Sequence, residues 1–276
     1  MSKLVIHIGL RKTGSSALQE LCARNRDELR SLGIEYPESL TSAPGHQELA
    51  WMYLRPRWLE ESGKTREAIF EHLSLGIASS AEQGMQTLLS SEDLSLLSLH
   101  ALASRDIWRS FRSFAPRIVF YRRDPVDYHV SNYVHAVVAG RERREFRDYV
   151  FQARNLAFAA DFMHRDFWGA TVGHDNLQVL DYDAERFASK SIYADFIEQV
   201  FGRTVDDQYV SYRSNTGVSA GTVDYFLTLN RSDLPDEEIR PIKRRLQQLP
   251  LPRSSEEFLD RNLTRDELRI LREIYR

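Results

Sequence analysis

Three observations predict an α/β fold in which a central parallel sheet is flanked by helices in three layers. Short apolar runs with strand character stand at Leu4–Ile8, Met85–Leu89, Arg117–Tyr121 and Leu177–Leu180. Segments of helical periodicity alternate with them, the pattern of strands joined by helical crossovers. The chain has 276 residues and is 42% hydrophobic, enough to bury the core of one large domain over 1–276.

Leu4–Ile8 is too short for a membrane span and runs into Gly9-Leu10-Arg11-Lys12-Thr13-Gly14-Ser15-Ser16. Ala17, Leu18, Leu21, Cys22, Leu29 and Leu32 then form a helical stripe, with Gly33 placed to end it. Gly33–Pro37 reads as extended, because the residue before a proline is pushed out of the helical region. Thr41–Gly45 is a loop that delivers His46 and Glu48 to an aromatic stretch at Trp51 and Tyr53. Thr65–Ile77 reads as a helix, and the run Met85–Leu89 empties into Ser90-Ser91-Glu92-Asp93. Ile107–Phe114 is helical and Pro116 closes it; a helix starts at about Val126, after the third strand.

Phe146, Tyr149, Val150, Leu156 and Phe162 lie at roughly helical spacing, and another helix spans Ile192–Val200. Arg213–Gly217 is a loop, and the boxes Ser254-x-x-Glu257 and Thr264-x-x-Glu267 cap short helices at the end. There is no internal repeat or low-complexity tract.

Net charge is −3 and the isoelectric point is near 6.3, so nothing attracts the chain globally to nucleic acid or an anionic membrane. A single cysteine, Cys22, excludes an internal disulfide framework and suits a reducing compartment. No run approaches a transmembrane length, and Leu4–Ile8 is too short for the apolar region of a signal peptide. These features predict a soluble, cytoplasmic protein.

In parallel sheets ligands bind beyond the carboxyl ends of the strands, which singles out the exits after Ile8, Leu89 and Tyr121. At the first exit a strand, a basic loop bounded by glycines and a helix start follow one another, turning backbone N–H groups toward an anion. The spacing Gly9-x4-Gly14 is that of a P-loop, but Ser15 stands where the ATP-binding motif demands lysine, and the lysine is Lys12. The loop therefore suits a phosphate or sulfonate rather than the β- and γ-phosphates and Mg²⁺ of ATP. At the third exit, Arg123 and Ser131 are eight residues apart. That spacing can bring an arginine fork and a helical hydroxyl around one phosphate monoester.

Taken together these residues resemble the sulfotransferases that use 3′-phosphoadenosine 5′-phosphosulfate (PAPS). That family carries a lysine–Ser/Thr–Gly–Ser/Thr–Ser/Thr loop after its first strand, matched by Lys12-Thr13-Gly14-Ser15-Ser16. Its second signature, R-x-P-x-D-x-x-x-S-x-Y, is matched at every fixed position from Arg123 to Tyr133. The resemblance is strong over 1–36 and 117–135 and diffuse elsewhere. His7-Ile8-Gly9, Leu18-Gln19 and Gly33–Pro37 look like bacterial-type members that act on carbohydrates or other small acceptors.

The resemblance implies a P-loop NTPase-like fold and sulfuryl transfer from PAPS to a hydroxyl or amine of a small or carbohydrate acceptor. It also implies that Arg11, Lys12, Thr13, Gly14, Ser15 and Ser16 hold the 5′-phosphosulfate, with Lys12 at the bridging oxygen. Arg123 and Ser131 then hold the 3′-phosphate, and Arg213 stands where the family closes a loop over it.

The acceptor needs a general base. Glu92, His46 and Glu48 stand at the correct end of the sheet; Glu92 occupies the place where members carry a histidine or glutamate. No His or Cys cluster has metal-ligand spacing, so no metal is expected. Arg141, Arg143, Arg144 and Arg147 interleave with Glu142, Glu145 and Asp148 and read as a solvated helix. Asp181-Tyr182-Asp183, Phe162, Phe167 and Trp168 read as packing. A small-molecule kinase with an altered P-loop and a non-catalytic nucleotide-binding protein are the alternative functions. The acceptor's identity and the oligomeric state are not written in the sequence.

Overall fold

The structure is a computed structural model that describes residues 2–41, 43–99, 101–153, 155–156, 161–183, 186–187, 191–209, 220–247 and 255–275. Its contacts divide the chain into one unit of Met1–Arg122 with Phe162–Tyr212 and a second of Arg123–Asp161 with Arg213–Arg276.

The first unit holds five parallel strands: β1 Leu4–Ile8, β2 Ile34–Glu35, β3 Gln86–Ser91, β4 Arg117–Arg122 and β5 Leu177–Asp181, in the order β2-β3-β1-β4-β5. The first three strands are laid down on one side and β4 and β5 on the other. The order therefore reverses beside β1, where open parallel sheets form their ligand crevice. β1 pairs with β3 from Leu4 opposite Thr87 to Ile8 opposite Ser91, so both strands end level with each other.

Both faces of the sheet are covered, which is why its strands read as near-continuous apolar runs. On one face Val5, Leu88, Val119 and Tyr121 pack against α1 (Ser15–Arg24) and, further along the chain, Phe196 and Ile197. On the other, Leu4, Ile6, Ile8, Leu89 and Phe120 meet Ile69, Leu73, Ile77, Phe111 and Trp168. These last residues come from α5 (Arg66–Glu82), α6 (Ala101–Phe111) and α9 (Asp161–Val172), while Phe196 and Ile197 belong to α10 (Ile192–Phe201). The predicted α/β fold with its central parallel sheet is thus the observed one. Phe167 and Trp168 pack as expected; the side chain of Phe162 lies outside the described residues.

The stripe from Ala17 to Leu32 forms two helices rather than one. α1 ends at Arg24 and α2 covers Arg26–Ser31. Asn25 leaves helical geometry between them while its side-chain N–H donates to the Tyr209 carbonyl at 2.9 Å, a tertiary contact that periodicity does not register. Between β2 and α5 lie two short helices, α3 (Glu48–Leu54) and α4 (Pro56–Ser62). β3 runs two residues beyond the expected Leu89, so Ser90 and Ser91 are strand residues, and a 3₁₀ turn, Glu92–Leu99, starts at once.

In the second unit α7 (Pro125–Val138) and α8 (Phe146–Val150) share a core with Val223, Phe226, Phe258 and Leu271. These four belong to α11 (Ala220–Arg231), α13 (Ser255–Asn262) and α14 (Arg265–Ile274), with α12 (Asp236–Gln247) between α11 and α13. The box Thr264–Glu267 caps α14, whereas Ser254 lies outside the described residues. Arg141–Glu145 is not helical: Arg144 pairs with Glu142 at 2.5 Å, and Arg147 pairs with Glu267. These charges are neutralised within the chain.

Candidate functional site

The loop between β1 and α1 is built from its own backbone. Lys12 has φ +64° and Gly14 φ +73°, so two residues in the left-handed region bend the chain and leave successive N–H groups on one side. The position is cheap for glycine and costs a residue with a Cβ about 1–2 kcal/mol, strain of the kind stored at functional sites. Gly14 is also the N-cap of α1 and, lacking a side chain, leaves the first N–H groups of that helix without a side-chain cap. A Cβ on Gly14 would come within 2.6 Å of Ile192 and 3.1 Å of Tyr182, so Tyr182 packs against the loop.

The loop's hydroxyls divide by role. Thr13 and Ser15 are buried, and both donate to the Leu10 carbonyl, at 2.6 and 3.1 Å. They lock the turn, and what they offer a ligand is backbone N–H. Ser16 points elsewhere: its hydroxyl donates to Glu92 Oε2 at 3.1 Å. Gly9 lets the two strand exits approach, since a Cβ there would sit 2.3 Å from Ser15 Oγ and 3.1 Å from the Glu92 Cα. The Gly9 N–H donates to the Ser91 carbonyl at 3.1 Å, continuing the β1–β3 ladder by one step.

Glu92 is therefore held against the basic loop. Burial raises its proton affinity above the usual carboxylate range and the neighbouring Asp93 adds to the rise, while the Ser16 hydrogen bond, Arg11 and Lys12 oppose it. A half-buried carboxylate that retains a hydroxyl donor and two nearby cations is suited to taking up a proton.

His46 and Glu48 are used differently. His46 is fully buried; its Nε2–H donates to the Pro37 carbonyl at 3.0 Å and its Nδ1 accepts from the Ser90 N–H at 3.1 Å. With both nitrogens engaged and burial lowering its pKa, it clamps the 37–46 segment onto the end of β3 and has no lone pair to spare. The Glu48 carboxylate accepts from Ser39 Oγ at 2.7 Å and from the Leu40 N–H at 3.1 Å, which closes its own loop. On β1, before the loop, buried His7 contacts Ser90 Oγ through Nδ1 at 2.8 Å, and burial lowers its pKa to about 3.

In the second unit, Arg123 directly precedes the N-cap of α7. The Asp124 carboxylate accepts from the Val126 and Asp127 N–H groups at 2.9 and 3.1 Å, and Pro125 occupies the first helical position. Ser131 is half-buried, two turns along the same helix. Tyr133 is a packing residue whose hydroxyl donates to the Arg144 carbonyl at 2.8 Å. Arg213 lies outside the described residues. Among the described residues no three His, Cys, Asp or Glu side chains are grouped to hold a metal ion, and no helix is long and apolar enough to cross a membrane.

Three side chains beside Glu92 carry no sequence motif: Trp51, Arg55 and Asp93 form a connected cluster whose geometry is described below. Only the adjacency of Asp93 to Glu92 signalled it.

No curated protein matches the chain. Among solved structures it is similar to a sulfotransferase from Alicyclobacillus acidocaldarius, at 14% identity over 99% of this chain and 96% of that one, with a TM-score of 0.37. The family model described as "Sulfotransferase domain" matches residues 2–190, which includes β1, the loop that follows it, Glu92 and the Arg123–Tyr133 segment. By that match over more than half of its length, the chain belongs to the sulfotransferase domain family.

Proposed function

We propose that this sulfotransferase-family chain transfers the sulfuryl group of PAPS to a hydroxyl or amine of a carbohydrate or other small acceptor. The observation that carries the proposal is the bond from Ser16, on the first turn of α1, to Glu92 at the end of β3. It joins a candidate base to a loop shaped for an anion. The loop suits such a group: Lys12 and Gly14 in the left-handed region bend it at the helix start, and α1 begins without a side-chain cap, which leaves its first N–H groups for a ligand.

When bound, the co-substrate supplies an activated sulfuryl group on a bridging oxygen. The backbone N–H groups of Thr13–Ser16 hold its 5′-phosphate. Glu92 takes the acceptor's proton as the acceptor oxygen bonds to sulfur, and Lys12 meets the electron pair left on the bridging oxygen as the old bond breaks. Arg11 supports the same anion. Arg123 and Ser131 hold the 3′-phosphate, joined by Arg213 on the strength of the resemblance. Positioning and charge stabilisation do the work, as in phosphoryl transfer. A sulfuryl group carries less charge than a γ-phosphoryl, so the proposal includes no metal. It treats 1–276 as one functional domain and places it in the cytoplasm, where the lone buried Cys22 stays reduced.

Calorimetric titration with adenosine 3′,5′-bisphosphate and with ADP tests the reading. Binding at least tenfold tighter for the bisphosphate supports it; equal or tighter binding of ADP refutes it.

A further inference from the structure

Asp93 follows Glu92 on the 3₁₀ turn, and its carboxylate is gripped from a different helix. Oδ2 accepts from the Trp51 indole N–H at 2.5 Å and lies 3.7 Å from Arg55 Nη2. The Arg55 guanidinium sits 4.1 Å from the centre of the Trp51 ring, so the three side chains form a closed triangle. Trp51 lies on α3 and Arg55 joins α3 to α4; Trp58 buttresses Trp51 edge-on at 5.7 Å. The turn is tied a second time by Ser95, whose hydroxyl donates to the Glu92 carbonyl at 2.8 Å.

Packing alone does not account for this triangle. A half-buried indole N–H calls for an acceptor, but a neutral one would serve, and two adjacent carboxylates repel each other. What an aspartate adds at position 93 is a fixed negative charge beside Glu92. Resting on the functional reading above, we propose that Asp93 is a positioning residue for Glu92: Trp51 and Arg55 fix its carboxylate, the fixed turn holds Glu92 against Ser16, and its negative charge is kept beside the carboxyl that takes the acceptor's proton.

The other groups that face Glu92 are Arg11 and Lys12 on the loop and the Ser16 hydroxyl on α1, all of which favour its ionised form. From the junction of α3 and α4, Arg55 reaches the Asp93 carboxylate at 3.7 Å and so bears on Glu92 through it. The proposal therefore makes two predictions of opposite sign. Asp93→Asn keeps an acceptor for Trp51 and removes the charge, so Glu92 titrates at lower pH. Arg55→Gln removes the cation that partly neutralises Asp93, so Glu92 titrates at higher pH. Arg55 is largely exposed, and its loss leaves the core intact.

The test is a ¹³C-carboxyl NMR titration of glutamate-labelled full chain, with the Glu92 resonance identified by its loss in Glu92→Gln, beside kcat–pH profiles. The expected shifts are about half a pH unit or more, down for Asp93→Asn and up for Arg55→Gln. The acidic limb of kcat moves the same way, and bisphosphate affinity stays within about twofold, since the proposal assigns none of these residues to the nucleotide. Trp51→Phe, which keeps the ring and loses the donor, lowers kcat roughly tenfold at unchanged bisphosphate affinity.

A Glu92 titration that moves in neither Asp93→Asn nor Arg55→Gln overturns the proposal; if Asp93→Asn does not fold, Arg55→Gln decides alone. The NMR readout needs no turnover. A chain with both shifts and no sulfuryl transfer therefore counts against the proposed function, and an active chain with unmoved titrations counts against Asp93.

Discussion

Ser16 Oγ donates to Glu92 Oε2 at 3.1 Å, a bond between residues 76 positions apart that ties the start of α1 to the end of β3. It places a carboxylate beside the loop that joins β1 to α1. If Glu92 takes the acceptor's proton, Glu92→Gln lowers turnover by roughly 10²–10⁴-fold and leaves bisphosphate affinity unchanged. Matched kcat values and calorimetric affinities for wild type and variant check this; loss of affinity without loss of kcat gives the residue a binding role instead.

The same residue has a signature in stability. Its folded-state pKa is raised above the ordinary value of 4.5, first of all by burial. A carboxyl so shifted favours folding while it is protonated, below its unfolded value, and that contribution is lost as pH rises through the folded value. Glu92→Gln should therefore be more stable than wild type at pH 7 in urea titrations. The gain should vanish near about pH 4, where both chains are neutral at this position. A variant destabilised at pH 7 contradicts the assignment.

Gly9 is where the two strand exits touch. Gly9→Ala puts a Cβ into Ser15 Oγ and against the Glu92 backbone, so the Ser15–Leu10 bond and the α1 start must shift. The expected cost is about 1–3 kcal/mol of stability, with roughly tenfold or more lost in bisphosphate affinity. A variant with wild-type melting and wild-type affinity shows that the loop does not depend on this approach.

Much of the fold, and the places of the candidate residues in it, was legible in order along the chain. Leu4–Ile8, the basic loop, Glu92 and Arg123 are marked by strand exits, and strand exits are local signals that apolar runs and glycines display. His46 shows the limit. In the sequence it is a histidine on a loop beside Trp51, open to a proton-transfer role; its occupation depends on Pro37 and on Ser90, a partner 44 residues away that only the folded sheet supplies. Asn25 fails to show as a helix break for a similar reason, its partner being Tyr209. In the Trp51–Arg55–Asp93 triangle, Trp51 and Arg55 share the i,i+4 spacing of a helix, but nothing in the sequence ties them to Asp93, 38 residues beyond Arg55. Tertiary hydrogen bonds between polar side chains leave no pattern in sequence, whereas burial of apolar strands does.

Arg123→Ala and Ser131→Ala should weaken binding of the 3′-phosphate specifically. Hydrogen bonds to charged groups contribute roughly 1.5–3 kcal/mol each, so Arg123→Ala should cost about tenfold or more in affinity for adenosine 3′,5′-bisphosphate. Adenosine 5′-phosphosulfate, which has no 3′-phosphate, should bind both variants nearly as it binds wild type. Equal losses for the two ligands would give Arg123 and Ser131 a structural role.

Lys12 bears most directly on sulfuryl transfer. It lies two residues before Gly14, at φ +64°, and not after it where an ATP-binding lysine stands. If Lys12 stands at the bridging oxygen, as proposed, its charge acts most strongly as the bond breaks, and its removal should appear in turnover more than in ground-state binding. The measurement is single-turnover transfer from ³⁵S-labelled PAPS to a surrogate sugar or phenol acceptor, with wild type and Lys12→Ala, each with and without EDTA. The account predicts transfer by wild type that EDTA leaves intact, and a loss on the order of 10²-fold or more in the saturated variant. Transfer abolished by EDTA, or a Lys12→Ala chain that turns over normally once saturated, would contradict it.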